Sequence, residues 1–383
     1  MKSKLQQQFL TLFGRTDGKT YFSPARVNLI GEHIDYSGGF VFPCALSFGT
    51  YGIIGKRTDQ QVCIYSKGFS ASIYTFDIHQ YDKDVKQSWI NYVKGVLYIL
   101  EVHQYKMDHG FDLYIEGNMP EGAGLSSSAS VESLLLVMMN DMFDFGMSKK
   151  ELALLGKSVE NTFIGVNSGI MDQFAVLLGK KDYGILLNTA TLDFTYIPLF
   201  FDDYQLLVMN TNKKRGLTDS KYNERFNECQ TALKIMKTRF PVDDLCHLTL
   251  AQLNDAASLL TDVLYKRTHH CITEQQRTIS STDALKHHDI LAFAQLLNTS
   301  HQSLKNDYEV SGIELDTLVE ETLKAGAIGA RMTGAGFGGC IVSLIKKNQL
   351  DDIIEKVTKR YQTRIGYEPS FYIVNPSDGT HRI

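Results

Sequence analysis

The feature of this sequence that most restricts its fold is the stretch 120–130, Pro-Glu-Gly-Ala-Gly-Leu-Ser-Ser-Ser-Ala-Ser. Glycines and small hydroxyl residues lead here into apolar residues at helical spacing, so a flexible loop feeds directly into a helix N-terminus. The apolar positions are Val131, Leu134, Leu135, Met138 and Met142. A helix N-terminus carries unpaired backbone N–H groups and a partial positive charge, which favour a bound phosphate. We therefore expect a phosphate-binding loop, with a serine hydroxyl within reach of any Mg²⁺ that the phosphate holds.

An ordinary turn before a capped core helix is the alternative interpretation of this stretch. Serine is a good N-cap, but one serine is enough for that purpose and three stand together at 126–128. The stretch is not a P-loop, because no Lys-Ser or Lys-Thr pair follows the glycines. A nucleotide bound here would therefore need another architecture.

A second unusual segment is the apolar run 25–30, which is predicted to be a buried strand and yet contains Arg26. A buried arginine normally needs an acidic partner or an anion. The loop that follows places Glu32, His33 and Asp35 before a double glycine. A solvent-exposed turn would explain the glycines and Asp35 but would leave the arginine without a reason. We therefore treat this loop as a candidate functional loop.

Two further segments allow more than one interpretation. Asp172 stands near the start of a short predicted helix, 172–178, where it is either an ordinary cap or a catalytic carboxylate beside the phosphate loop. The loop 334–339 formally matches G-x-G-x-x-G, but the strand-like run 340–345 follows it. Dinucleotide binding requires a helix at that point, so we expect a tight hairpin-like turn packed against another backbone.

The remaining pattern is α+β. A change in the sequence pattern near 190–203 predicts a boundary between domains 1–190 and 191–383. A β-meander is predicted from the β-branched runs at 51–57, 61–67 and 71–78. Predicted helices are 5–13, 87–106, 126–145, 148–165, 172–178, one beginning near Tyr222, most of 245–300, 314–325 and 349–362. Further predicted strands are 111–115, 184–188, 204–209, 327–333, 340–345 and 370–374.

Composition narrows the class of protein. The formal net charge is −4, with acids and bases interspersed, which argues against nucleic-acid binding. No apolar run reaches the roughly 20 residues of a membrane-spanning helix, and the first residues lack the apolar core of a signal peptide. The six cysteines are scattered without a CxxC pair, so we expect free thiols and a cytoplasmic protein. The runs His269-His270-Cys271 and His287-His288 lack metal-ligand spacing and are interpreted as solvated helix faces.

Three separated motifs resemble those of a known family. Residues 24–39, Pro-Ala-Arg-Val-Asn-Leu-Ile-Gly-Glu-His-Ile-Asp-Tyr-Ser-Gly-Gly, closely resemble the galactokinase signature. Residues 120–130 and 331–340, the latter Arg-Met-Thr-Gly-Ala-Gly-Phe-Gly-Gly-Cys, resemble the second and third motifs of the wider GHMP kinase superfamily. The chain departs from the usual pattern at Ala25, Ile34 and Ser37, and none of these positions removes an expected catalytic group.

The resemblance implies a two-domain α+β GHMP kinase fold, with mixed sheets and helices in each domain and an active site in the cleft between them. It implies transfer of the γ-phosphate of ATP to the C1 hydroxyl of α-D-galactose, with Mg²⁺ as cofactor and a monomeric enzyme. A sugar kinase for N-acetylgalactosamine or arabinose, and a galactose and ATP sensor without turnover, remain as alternatives.

The resemblance also assigns roles residue by residue. Asp172 matches the catalytic base, and Arg26 is expected beside it. The sugar-binding positions are Glu32, His33, Ile34, Asp35 and Tyr222. The ATP-binding positions are Ser66, Gly122, Ala123, Gly124, Leu125, Ser126, Ser127 and Ser128. The Mg²⁺ positions are Ser128 and Glu160, whose hard oxygen atoms suit that ion.

Overall fold

The computed structural model describes residues 2–119, 124–166, 168–213 and 218–383. These residues form eleven α-helices and thirteen strands. The helices are α1 (Lys2–Phe13), α2 (Ile90–Val102), α3 (Ser127–Met142), α4 (Lys149–Ser158), α5 (Met171–Leu178), α6 (Thr218–Lys237), α7 (Leu250–Asp255), α8 (Asp262–Lys286), α9 (Ile290–Asn306), α10 (Ile313–Ala325) and α11 (Leu350–Ile365). The strands are β1 (Lys19–Asn28), β2 (Phe40–Val41), β3 (Pro43–Lys56), β4 (Gln61–Ser66), β5 (Tyr74–Asp77), β6 (Phe111–Gly117), β7 (Tyr183–Asn188), β8 (Phe194–Pro198), β9 (Tyr204–Asn210), β10 (Gly329–Thr333), β11 (Cys340–Lys346), β12 (Ser370–Val374) and β13 (His381–Arg382).

The larger sheet has the order β13-β1-β3-β6-β4-β5 and is mixed, because β4 and β6 run parallel. The predicted meander is therefore wrong: β6 lies between β3 and β4. A parallel pair needs a long crossover, which β5 and α2 supply here. Helices α3 and α5 pack on β1 and β3, so β1 is buried along almost its whole length, as the sequence predicted.

The smaller sheet is antiparallel, with the order β10-β11-β9-β12; α9 and α10 pack on it, and α11 packs on α10. The hairpin predicted at 334–339 is confirmed, since Thr333 pairs with Cys340. Gly336 adopts a φ of +80°, and a Cβ there would collide with the Val310 carbonyl oxygen. The turn is thus packed against another backbone, and only glycine fits both the space and the dihedral angle.

Several elements cross between the two halves of the chain. The three-stranded sheet β2-β7-β8 continues past residue 190, and α8 packs against both β2 and β8. Strand β13 returns to pair with β1 in the larger sheet. The domain boundary near 190 stays a prediction.

Two local expectations are wrong. His270 and Cys271 are fully buried, so their run does not form a solvated helix face. Their helix α8 packs against α6 and α9 and therefore buries this side. Helix α6 begins at Thr218, four residues before Tyr222.

Among the described residues no disulfide is formed, and all six cysteines are present as thiols. Within the described ranges, no helix combines the length and apolarity that crossing a bilayer requires.

A glycine in β3 allows β1 to change register just before Arg26. The register of the pair shifts between Pro24 and Arg26, and a Cβ on Gly49 would collide with the Ser23 carbonyl oxygen. We expect Gly49→Ala to lower the free energy of unfolding by about 1–3 kcal/mol, because the strands must separate. Chemical denaturation measures this change.

Gly117→Ala is the matched control for that variant. Gly117 lies in the neighbouring strand β6, and the nearest atom to its added Cβ is 3.9 Å away. Equal losses of stability in the two variants would contradict the steric explanation.

Candidate active site

A cavity of about 310 Å³ lies where the two halves meet. Seven of the predicted site residues line it: Arg26, Glu32, His33, Asp35, Glu160, Asp172 and Tyr222. They come from β1 and the loop after it, the turn after α4, α5 and α6. The hairpin of the smaller sheet contributes Gly334 and Ala335 to the same wall. The cavity thus brings together seven of the sixteen predicted site residues.

The buried arginine has the acidic partner that its position in an apolar strand requires. Arg26 Nε and Nη2 donate to the two carboxylate oxygens of Asp172 at 2.6 and 2.7 Å. Its Nη1 donates to the Gly124 carbonyl oxygen at 3.0 Å. Burial alone lowers the pKa of Arg26, but the charge and hydrogen bonds of Asp172 outweigh it and raise that pKa. Asp172 is in the first turn of α5 and is not its cap, which is Ile170.

The serines before and within α3 do not cap it, contrary to the expectation from sequence. Ser126 has left-handed backbone dihedrals and no side-chain cap bond, and its hydroxyl donates to Asp172 instead. Ser128 Oγ donates to Glu160 Oε1 at 2.9 Å. The serine cluster therefore faces two carboxylates across the end of the helix. A single cap residue would not explain that arrangement.

The phosphate loop is only partly described. Gly122 and Ala123 lie outside the described residues. Gly124 follows with a φ of +70°, Leu125 is buried, and Ser127 is exposed as the first residue of α3.

Glu32 is held by the smaller sheet. Arg331 Nη2 donates to Glu32 Oε2 at 2.7 Å, and the Gly334 N–H donates to the same oxygen at 3.1 Å. Arg331 is fully buried in β10 and also donates to the carbonyl oxygens of Asn28 and Leu29 at 2.8 Å. In the described part of the chain, no hydrogen bond reaches Glu32 Oε1. That atom is available to a ligand in the cavity.

His33 is a neutral ring whose tautomer is set by its neighbours. Burial lowers its pKa to about 3. Its Nε2 lies 3.1 Å from the Ala335 carbonyl oxygen, which can only accept, so Nε2 carries the proton. Nδ1 then accepts from the Tyr36 hydroxyl at 2.8 Å, and that hydroxyl lies 2.8 Å from the Tyr308 hydroxyl. The ring of Tyr222 packs against His33, with centroids 5.6 Å apart.

Asp35 lies against Gly169, and a Cβ at position 169 would collide with its carboxylate. Burial, then the charges of Asp172 and Glu32, raise the pKa of Asp35 to about 7. Glycine at position 169 therefore provides the room that the Asp35 carboxylate occupies.

Two predicted site residues lie elsewhere. Ile34 is fully buried in the hydrophobic core and does not line the cavity, because its neighbours His33 and Asp35 turn toward the ligand space while its own side chain packs inward. Ser66 is buried at the end of β4, where its N–H donates to Ser70 Oγ, and it does not line the cavity either. A role of Ser66 near the nucleotide stays a prediction.

Sequence reasoning missed three contributors. Arg331 and Tyr36 lie within the motifs, but the sequence predicted no role for them. Arg331 donates to Glu32, and Tyr36 donates to His33. Glu132 lies one turn after Ser128 in α3, fully buried, and neither of its carboxylate oxygens has a hydrogen-bond partner among the described residues. Burial and then the charge of Glu160 raise its pKa well above the usual value. The sequence signal that could have found Glu132 is an acidic side chain among the apolar positions of the helix predicted at 126–145.

Comparison with known families identifies the class of protein. Residues 91–180 match the GHMP kinases N terminal domain, and residues 281–363 match the GHMP kinases C terminal domain. A mevalonate kinase from Methanococcus jannaschii shares the fold, with a TM-score of 0.70 at 17% identity, over 95% of this chain and 100% of that one. The fold and the cleft between its halves are those of a GHMP kinase.

Closer relatives identify the family within that class. Residues 7–56 match the galactokinase galactose-binding signature. The chain is 49% identical to galactokinase of Staphylococcus carnosus, over 100% of both sequences. It superposes on Lactococcus lactis galactokinase complexed with galactose with a TM-score of 0.97 at 42% identity, again over 100% of both chains. The chain belongs to the galactokinase family.

The raised pKa of Asp35 makes a prediction about stability. Because the folded protein favours its protonated form, this group contributes stability that is present below its unfolded pKa of 3.8 and is lost as the pH rises toward 7. We therefore expect Asp35→Asn to stabilise the protein more at pH 8 than at pH 4. Urea denaturation of both proteins at the two pH values measures the difference.

Asp108→Asn controls for the substitution itself, since the Asp108 side chain is 83% exposed and lies outside the cavity. A stability difference between wild type and Asp35→Asn that does not change with pH would contradict the assignment.

Proposed function

We propose that this chain transfers the γ-phosphate of ATP to the C1 hydroxyl of α-D-galactose and releases ADP. The observation that carries the proposal is the position of Asp172. Its carboxylate lines the cavity, is held by Arg26, and accepts the Ser126 hydroxyl from the end of the phosphate loop. A base, a cation and a phosphate-binding helix terminus therefore meet at one point, as phosphoryl transfer requires.

Asp172 acts in this proposal as the general base. Its carboxylate accepts the proton of the sugar hydroxyl as that oxygen attacks phosphorus, an effect worth roughly 10²–10⁴-fold in rate. Arg26 orients the carboxylate before the reaction and stabilises negative charge on the transferred phosphoryl group. Its position is fixed beforehand, because the guanidinium is 5% exposed and three of its N–H groups are bonded.

The sugar is recognised by carboxylates and a neutral ring. Glu32 Oε1 and the Asp35 carboxylate accept hydrogen bonds from the sugar hydroxyls. A neutral polyol carries no charge that a cationic side chain would have to bind. His33 and Tyr222 form an aromatic wall beside them. This set of carboxylate acceptors suits a sugar better than the carboxylate-bearing substrates of mevalonate and homoserine kinases, because it would repel an anion.

The residues predicted to hold Mg²⁺ fit that ion. Ser128 Oγ and the Glu160 carboxylate are hard oxygen donors 2.9 Å apart. Burial raises the pKa of Glu160, and the charge of Asp172 raises it further. A divalent cation would relieve this concentration of negative charge. When bound, Mg²⁺ would neutralise charge on the ATP phosphates, while the helix terminus at Ser126–Ser128 would hold the phosphates by its N–H groups.

We further propose that the enzyme works as a cytoplasmic monomer. Its six cysteines, none of which forms a disulfide, suit a reducing compartment. Both walls of the cavity come from the two halves of one chain.

A substrate panel tests the proposed function. ADP release from Mg-ATP is measured with D-galactose, D-glucose, N-acetylgalactosamine, L-arabinose, mevalonate and homoserine. We expect release with galactose. ADP release only with another sugar would leave the proposed mechanism in place and change the substrate. Galactose binding without ADP release in the presence of any acceptor would indicate a sensor.

Asp172→Asn tests the mechanism. We expect kcat to fall by roughly 10²–10⁴-fold, because the amide cannot accept the proton, while galactose binding changes little. Turnover and calorimetric binding are measured together with the melting temperature, since this residue also pairs with Arg26. Asp108→Asn serves again as the control. Wild-type turnover in a folded Asp172→Asn enzyme would disprove the base assignment.

A further inference from the structure

The sugar loop is bound to a helix from the other half of the chain through one buried carboxylate. The backbone N–H groups of Gly31 and Glu32 both donate to Glu274 Oε1, at 3.0 and 3.3 Å. Glu274 lies in α8 and is fully buried. The next residue, Gln275, accepts from the Phe40 N–H at 2.7 Å, so the helix holds both ends of the loop.

This carboxylate is fully supplied with partners and stays ionised. Ser300 Oγ donates to the same Oε1 at 2.7 Å, and Arg277 Nε donates to Oε2 at 2.7 Å. Burial alone raises the pKa of Glu274, but the surrounding positive charges, first of all Arg277, lower it to about 2. An ionised carboxylate makes stronger hydrogen bonds to backbone N–H groups than a neutral acceptor does.

The rest of Glu32 is fixed by the same half of the chain. His270, one turn before Glu274 in α8, lies with its Nε2 3.0 Å from the Glu32 carbonyl oxygen. Arg331 holds the side chain through Oε2. The N–H, the carbonyl and one carboxylate oxygen of Glu32 are therefore all engaged, and only Oε1 has no hydrogen bond among the described residues.

We propose that Glu274 is a positioning residue for sugar binding, which holds the backbone of Gly31 and Glu32 so that Glu32 and His33 face the substrate. Glu274 does not line the cavity and touches no reacting atom. Its effect passes through the loop to the sugar and not to the nucleotide, because its bonds to the loop are at the sugar-binding segment. The proposal rests on the proposed sugar kinase function.

The test compares Glu274→Gln with Glu321→Gln. Glu321 is 6% exposed in α10 and pairs with Arg364 at 2.8 Å, so it is another buried, ion-paired carboxylate of the same half. We expect Glu274→Gln to raise KM for galactose about tenfold, with KM for ATP and kcat changed less than twofold. Calorimetric binding of galactose without ATP should weaken by the same factor. Glu321→Gln should leave all these constants unchanged, even where its melting temperature falls equally.

An unchanged galactose KM in folded Glu274→Gln, or equal increases in both KM values, would overturn the proposal. If that variant does not fold, Ser300→Ala removes one bond to the same oxygen, and we expect its galactose KM to rise about threefold. A Ser300→Ala enzyme with wild-type KM then overturns the proposal. Wild-type protein that neither binds nor phosphorylates galactose overturns the proposed function, and the positioning role with it. If the wild-type protein phosphorylates galactose and Glu274→Gln has the wild-type KM for galactose, only the positioning role is overturned.

Discussion

The ion pair between Arg26 and Asp172 is the interaction on which the rest of the site depends. A guanidinium in a buried strand is costly unless its charge and its N–H groups are satisfied. Both oxygens of the carboxylate and the Gly124 carbonyl provide that satisfaction. The planar guanidinium in turn fixes the direction of the carboxylate, because a bidentate pair has one geometry. A structural requirement of the sheet and a chemical requirement of the site are thus met by the same contact.

The second constraint is the concentration of acids around the cavity. Glu32, Asp35, Glu160 and Asp172 all line it. Burial and mutual repulsion raise the pKa of Asp35 and of Glu160. Such a site gains stability from hydroxyl donors and from a divalent cation, and it disfavours an acidic acceptor. The charges of the cavity therefore favour a neutral hydroxyl-bearing ligand over an acidic one.

The site exists only where the two halves of the chain are packed together. β1 and α5 carry the ion pair of Arg26 and Asp172, whereas α8 and β10 hold the loop that contains Glu32. Buried hydrogen bonds at this junction involve backbone groups as well as side chains, so the loop has little freedom to change shape. Side chains held in this way are positioned before a ligand binds, as catalytic and binding sites require.

The sequence by itself determined the family, most of the elements and the charged residues that line the cavity. The motif around Arg26 required an anionic partner, and the strand after 334–339 excluded a dinucleotide site, since both conclusions follow from local chemistry. Only the tertiary structure decided what lies beside what. It placed β6 between β3 and β4, turned Ile34 into the core, and directed the serines toward carboxylates rather than caps. Glu274 and Arg331 also became visible only there, because their partners are 242 or more residues away in the chain. Periodicity and spacing report the local face of an element, whereas the partner of a buried charge is set by packing between distant segments.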